Sequence, residues 1–578
     1  MILILGGTTE GRLAASVCEE AGKPFYYSTK STLQQVELCH GVRLSGALTV
    51  PQMEAFCRQH NIQCLVDAAH PFAMNLHETV AQMTLPVIRL QRNLGKRIAG
   101  VTYVHNCEEA IDQLTHAGVK KLLALSGANT ICPLRPYWSK HTTLFRILNR
   151  PESLALALQL HFPQENLLFY NEELQIPSED EEKELMKAVD CDAILTKESG
   201  DNGGFLPKVQ AALSLGLKVF VIEHPRLPQH WHYVTGKHSL RRAIESLVPS
   251  FFPLKTGLTT GACATAATKA ALLSLLHDDW PEEVSFALPD EEVIRIPVIV
   301  ESQGQASVIK EFSDDPDVTK GCRITAHVVS NDTGEIHFLK GKGVGTVTLP
   351  GLGIPVGDPA INATPRQMII REIRALSPHG YDVEISVEDG EALAQKTFNP
   401  KVGVVGGISI IGTSGIVSPL SHEAFIQSIG RELEVALAIG CTHIGLAAGK
   451  NGEDGLKARY PDLRVIHYGN FIGEALKKAQ TLGLQKVSVG IQIGKAVKLA
   501  EGHLDTHSHK AVMNKTFLRQ VAEQAGADRK AQEALDNITL ARELPSIMPP
   551  AFLEQITALC QKHCRTVFSD GELEILLL

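Results

Sequence analysis

Aromatic side chains are scarce in this chain, at 5% of its 578 residues, and positive charge is not in excess. Lysine and arginine number 55 against 64 aspartates and glutamates, giving a formal charge of −9 without a basic cluster. A nucleic-acid surface needs a basic stripe, so nucleic-acid partners are excluded and any anionic ligand must be held by a local pocket. The twelve cysteines are scattered without framework spacing, which excludes a disulfide scaffold and predicts reduced thiols in a cytoplasmic protein. No charged segment precedes the apolar MILIL, which is too short for a signal-peptide core. Long apolar runs are missing too. The longest uncharged stretch, Val402 to Ser421, holds five glycines and six Ser, Thr or Pro residues, so it reads as buried strands with a glycine loop and not as a membrane span.

What is present is an ordinary globular composition, 44% hydrophobic and 21% charged, with length for about three or four domain-sized units. Over the first 245 residues, MILIL, PFYYS, CLVDA, PVIRL, KLLALS, TLFRIL, LLFYN, AILTK and KVFVIE alternate with helical patterns. Near-continuous apolar strands of this kind are covered on both faces, as in parallel sheets. The expectation is an α/β multidomain chain that begins with two Rossmann-like doubly wound units, about 1–100 and 101–249. Pro249 and Pro253 in SLVPSFFPL predict a linker over 250–254. Alternating strands from 283 to 348 predict an α+β unit over about 255–400. Strand–helix alternation then returns for an α/β unit over about 401–545, and a helix over 550–568 caps the chain.

Two turns open helices in the same way, Gly6-Gly7-Thr8-Thr9-Glu10-Gly11 and the Thr259-Thr260 turn of LKTGLTTGACATAATKAA. Backbone N–H groups at a helix N-terminus accept anionic groups. The first turn follows a strand, as a dinucleotide fingerprint must, but Thr8 stands where the middle glycine of G-x-G-x-x-G would fall. After the second strand come Ser28, Thr29, Lys30 and Ser31 in place of an acidic residue, a set better suited to a 2′-phosphate than to a ribose diol, so that if a nicotinamide cofactor binds, NADPH is favoured over NADH. Two further loops lie at predicted strand ends, Asp67-Ala68-Ala69-His70-Pro71-Phe72 and Thr196-Lys197-Glu198-Ser199 through Gly203-Gly204. The second offers a cation and hydroxyls for a carboxylate.

ILILGGTTEGRLAA, VDAAHPFA, LLALSG and LTKESGDNGG resemble the precorrin-6A reductase family of cobalamin biosynthesis over nearly all of residues 1–245. The resemblance implies hydride transfer from NADPH or NADH to a corrin precursor, in a cleft between two Rossmann-like units. Gly6, Gly7, Thr8, Thr9, Glu10, Gly11 and Lys30 would hold the cofactor, Lys197, Ser199, Gly203 and Gly204 the substrate, and His70 would stand near the proton-transfer step.

The second half resembles the cobalt-precorrin-5B C1-methyltransferase family over most of 254–515. The resemblance rests on LKTGLTTGACATAATKAA, SVIKEFSDDPDVTKG, KGVGTVTLPGLGIPVGDPAINATPRQMI, KTFNPKVGVVGGISIIGTSGIVSPLS, GNFIGEAL and GKAVKLAEGHLDTHS. It implies S-adenosylmethionine as methyl donor and a cobalt-containing corrin precursor as substrate. On this resemblance Thr259, Thr260, Gly412 and Thr413 would contact the donor, Gly343, Gly345 and Thr506 the macrocycle, and Asp315, Asp317 and His507 would act in catalysis.

The bland readings differ from motif to motif. Asp314-Asp315-Pro316-Asp317 is otherwise a solvated turn. His503, His507 and His509 fit no zinc spacing, and Cys560, His563 and Cys564 lack a second ligand pair, so no protein-bound metal is expected. Gly490 to Lys495 imitates a phosphate loop with one residue too few and Ala496 where Ser or Thr is required, which excludes an ATP site. Together the resemblances place two consecutive activities on one chain, an arrangement that leaves room for a homo-oligomer. The alternatives are a reductase whose second half only binds a corrinoid, and a non-catalytic tetrapyrrole carrier.

Overall fold

The computed structural model describes residues 1–30, 34–91, 97–170, 177–200, 204–419, 422–507 and 513–578. The chain folds as two compact units, Met1–Pro253 with the short segment Glu292–Ile294, and Leu254–Glu291 with Arg295–Leu578.

In the first unit, strands β1 (Ile2–Leu5), β2 (Phe25–Thr29), β3 (Gly41–Ser45), β4 (Cys64–Asp67) and β5 (Val87–Leu90) are followed by β6 (Val101–Val104), β7 (Lys121–Ala124), β8 (Thr142–Leu148), β9 (Leu167–Tyr170), β10 (Ala193–Lys197), β11 (Lys218–Ile222) and β12 (His232–Val234). They form two six-stranded sheets, ordered β12-β5-β4-β1-β2-β3 and β6-β11-β10-β7-β8-β9. Every pairing is parallel. The apolar runs of the central strands are buried from end to end, β1 and β4 with four buried residues in four. Strand order reverses between β1 and β4 and again between β7 and β10, and such switch points open crevices at the carboxyl ends of the strands. The loops after these four strands carry the motifs GGTTEG, AAHPF, LSG and KESG.

The expected boundary near residue 100 is crossed by the returning chain. After the second sheet is complete the chain returns, and β12 pairs with β5 of the first sheet. The helix Lys237–Leu247 then lays Leu240 and Ile244 into that sheet's core. The expected linker is not free either, because Phe251 and Phe252 are buried in the same core and meet edge to face. Proline had marked a turn, but the two phenylalanines determine where the segment packs.

The second unit is built around the helix Thr260–His277, with thirteen of its eighteen residues buried. Small side chains let it lie against strands Gln305–Ile309 and Arg323–Asn331 and the helix Ala363–Leu376. A five-stranded sheet runs in the order Ile299–Ser302, Gln305–Ile309, Arg323–Asn331, Gly380–Val387 and Ile336–Lys340. Its pairings are antiparallel except the last. A four-stranded parallel sheet follows, ordered Val465–His467, His443–Ala447, Lys486–Ile491 and Glu572–Leu577. Two boundaries differ from expectation. Val404, Val405, Ile416 and Val417 pair back to Val347, Thr346, Leu258 and Gly257, so this segment belongs with the α+β part and not with a unit starting at 401. The helix Pro550–Arg565 does not end the fold, since Glu572–Leu577 pairs along the whole of Lys486–Ile491. No helix among the described residues is long and apolar enough to cross a membrane.

Candidate functional site

The turn after β1 is shaped by a tyrosine. A β-carbon on Gly6 would overlap the Tyr27 ring, and one on Gly11 would lie 2.7 Å from the Tyr27 hydroxyl and 2.8 Å from the Gly6 Cα. These two glycines therefore make room for Tyr27 and for close packing of helix on strand. Gly7 differs: its φ is +103° and no atom lies within 4 Å of where a β-carbon would stand, so its outer face is open to a ligand. Thr8, expected to offer its hydroxyl to a ligand, uses it internally. It donates to Ala68 O at 2.6 Å and accepts from Gly11 N at 3.0 Å, capping the helix Thr9–Glu19 and tying the β1 turn to the β4 loop. Thr9, exposed, and Glu10, half-buried, lie in the first helical turn, and Lys30 is exposed at the end of β2.

The β4 loop is held from beneath by buried charges. Asp67, His77 and Arg89 are at most 3% exposed. His77 Nδ1 lies 2.8 Å from Asp67 Oδ2, and Arg89 donates to Asp67 Oδ1 at 2.9 Å. His77 Nε2 faces the carbonyl oxygens of His70 and Pro71, both at 3.1 Å, and therefore carries a proton. Sequence reasoning passed over His77 and Arg89. Their signal was polarity at buried helix and strand positions. His70 itself is exposed, and its Nδ1 accepts the Phe72 amide at 3.2 Å, which leaves its proton on Nε2.

The two loops that the sequence singled out meet here. The Lys197 ammonium lies over the Phe72 ring at 4.9 Å, and Phe72 stacks on His224 at 5.9 Å between centroids. His224 Nδ1 is 2.8 Å from Glu198 Oε2, and this hydrogen bond holds the Glu198 carboxyl below the usual carboxylate range. Burial pulls the Lys197 ammonium below the usual lysine range. Ser199 is half-buried and Gly204 caps the helix Phe205–Ser214 in a left-handed conformation, whereas Gly203 lies outside the described residues. A parallel α/β site thus combines an open glycine turn, a desolvated cation, an aromatic face and an outward imidazole.

In the second unit several expected contacts prove internal. The Thr260 hydroxyl accepts Ile411 N at 2.9 Å and faces the carbonyls of Ser409 and Ile411, while Thr259 caps its helix through Ala262 N at 3.2 Å. A side chain on Gly412 would overlap Thr259, so these residues stitch the buried helix to the 409–412 loop, and of the four expected donor contacts Thr413 alone is exposed. Gly343 and Gly345 are buried against the backbone of Val387 and Gly407, which leaves them no face for a macrocycle. Asp317 is engaged internally. It pairs with the fully buried Lys310 at 2.6 Å and accepts both the amide and the hydroxyl of Thr319. Burial alone would raise its carboxyl, but Lys310 and Thr319 hold it below the usual range. Asp315, half-buried, remains on that loop.

The carboxyl ends of the four-stranded sheet gather the other motifs. Ala448 to Gly452, Gly490, Gln492 and Lys495 line one crevice. Lys495 donates to Gly469 O at 2.6 Å, and burial pulls its ammonium down. Nearby, Thr506 is buried and bonds Asn470 O through its amide at 3.0 Å, so it positions the loop that carries the half-buried His507. The His507 ring lies 6.1 Å from that of His422, and His509 lies outside the described residues. Cys560 and Cys564 are buried in the apolar core, where burial pushes the Cys564 thiol up to about 12 and raises that of Cys560 as well, so they act as packing residues.

Comparison with known proteins identifies two families along the chain. Residues 1–247 match the family described as precorrin-6x reductase CbiJ/CobK, residues 249–419 match CbiD, and 505–578 match the CbiD C-terminal domain. A cobalt-precorrin-5B C(1)-methyltransferase of Prosthecochloris aestuarii is 42% identical over 346 residues, covering 56% of this chain and 94% of that protein. Those of Burkholderia cenocepacia and Agrobacterium fabrum are each 42% identical, with 50% and 52% of this chain and 83% and 80% of theirs covered. A cobalamin biosynthesis protein (cbiD) of Archaeoglobus fulgidus is 27% identical at a TM-score of 0.26, covering 44% of this chain and 83% of that one. A CobK precorrin-6A reductase structure is 20% identical at 0.35, covering 43% and 97%.

The protein is a bifunctional enzyme of cobalamin biosynthesis that joins an oxidoreductase to a methyltransferase. More particularly, the chain belongs to the cobalt-precorrin-5B C(1)-methyltransferase family and carries a precorrin-6x reductase unit of the CbiJ/CobK family over its first 247 residues. The reading of its second half as a mere corrinoid-binding module is not favoured.

Proposed function

We propose that the chain methylates cobalt-precorrin-5B at C1 with S-adenosylmethionine and then reduces the resulting cobalt-precorrin-6A to 6B with NADPH. The observation that carries the reductase reading is the meeting of the β4 and β10 loops, where Phe72 lies between Lys197 and His224. The open side of Gly7 and the first turn of Thr9–Glu19 fit a pyrophosphate, and Lys30 fits a 2′-phosphate. NADPH supplies the hydride when bound there. The chain's own residues orient the macrocycle: Lys197, Ser199 and Gly204 receive its carboxylates, and His70 stands near the proton-transfer step.

For methyl transfer, S-adenosylmethionine supplies the methyl group and the protein supplies positioning, which can lower such a barrier by about 7–11 kcal/mol. The crevice from Ala448 to Gly452 and from Gly490 to Lys495 lies where parallel sheets place their ligands, and it fits the donor better than the internally bonded Thr259 and Thr260. Asp315, Thr413 and His507 remain the candidates for ligand contact. The purified chain should oxidise NADPH only when cobalt-precorrin-6A is added, and transfer labelled methyl to cobalt-precorrin-5B. Lys30→Ala should raise KM for NADPH but not for NADH, and equal effects on both would remove Lys30 from the 2′-phosphate.

A further inference from the structure

Arg89 is 3% exposed at the carboxyl end of β5, where Asp67 stands opposite on β4 and Tyr233 opposite on β12. Among the described residues its guanidinium donates only through one terminal nitrogen, to Asp67 Oδ1 at 2.9 Å and Asp67 O at 3.3 Å. A guanidinium carries five N–H donors in a planar fork, so Nε and the other terminal nitrogen are left with three. They are not sealed in: Arg89 lines a cavity of about 70 Å³ together with Pro71, Gln91, His224 and Tyr233. That volume admits a carboxylate group. His224 and Pro71 also belong to the cluster around Phe72, so the cavity adjoins the proposed reduction site.

We infer that Arg89 anchors one side-chain carboxylate of the corrin substrate, with Asp67 and His77 holding the guanidinium in place. This rests on the reductase reading and deepens it. A desolvated arginine with its edge free binds a carboxylate through two parallel hydrogen bonds, a geometry that lysine cannot reproduce. Asp67 compensates the charge before the ligand arrives, so the fork is preorganised and not merely buried.

The test titrates the full chain with cobalt-precorrin-6A, with the same macrocycle esterified at its side-chain carboxylates, and separately with NADPH. Arg89→Lys keeps a cation beside Asp67 but removes the free edge. It should weaken macrocycle binding about tenfold or more, leave NADPH binding unchanged, and shrink the penalty that the ester shows on the wild type. Unchanged macrocycle affinity would overturn the inference, and weakened NADPH binding in its place would assign the donors to a dinucleotide anion. Should Arg89→Lys fail to fold, the wild type still decides, because an ester that binds as well as the acid contradicts a carboxylate anchor. A wild type that binds no macrocycle at all would instead sink the reductase reading along with it.

Discussion

Tyr27 explains two glycines that the sequence motif alone would assign to the cofactor. Gly6 and Gly11 give way to its ring and hydroxyl, while Gly7 is the position left open. Gly11→Ala should cost about 1–3 kcal/mol through overpacking, seen as a lower unfolding midpoint of the first unit with methyl transfer unchanged. In the second unit Asp317 matters through Lys310. Asp317→Asn leaves a buried ammonium unpaired and should cost about 3–5 kcal/mol, whereas Lys310→Met with Asp317→Asn should recover much of that loss in denaturant titrations. Because the Asp317 carboxyl sits below its unfolded range, its contribution is present at neutral pH and is lost as pH falls through the folded value. Lys197 has the opposite sense. Burial depresses its ammonium, so the alkaline limb of the reductase pH profile should fall below the ordinary lysine range near about 10.4. Lys197→Arg should move that limb upward, and a profile unchanged by this substitution would show that Lys197 is not the group responsible.

At the scale of elements, the parallel strands that were legible are mostly interior ones. β3, β6, β12 and Glu572–Leu577 went unread, and all four are sheet edges. An edge strand is solvated along one side, so it lacks the continuous apolar run that marks its neighbours; β12 buries one residue in three. Gly380–Val387 is a different case. It pairs on both sides, and its Tyr381, Val383, Ile385 and Val387 recur at every second position, a signal that was present and was missed by ending the sheet at 348. The motifs carrying chemistry were legible as separate stretches, but their meeting was not. Nothing local in the sequence says that Phe72 will reach Lys197, or that Thr260 will turn inward to Ile411. The edge strand Glu572–Leu577 yields a direct prediction. Removing residues 571–578 uncovers Lys486–Ile491 and loses the burial of Leu573 and Ile575, at least about 3 kcal/mol. Calorimetry should show a lowered transition for the second unit and an unchanged one for the first.

At the scale of the whole molecule, one chain joins a reductase unit and a methyltransferase, and the proposed chemistry gives them an order. The product of methylation is the substrate of reduction, so neither cofactor can replace the other and their sequence of use is fixed. The measurement that tests this most directly is an order-of-addition experiment on the purified chain under anaerobic conditions, followed by mass spectrometry. Cobalt-precorrin-5B with methyl-labelled S-adenosylmethionine should give a product heavier by one labelled methyl group, and NADPH added afterwards should convert it to a species carrying two further hydrogens. NADPH supplied without the methyl donor should leave cobalt-precorrin-5B unchanged. Reduction before methylation, or labelled product that NADPH cannot convert, would contradict the account.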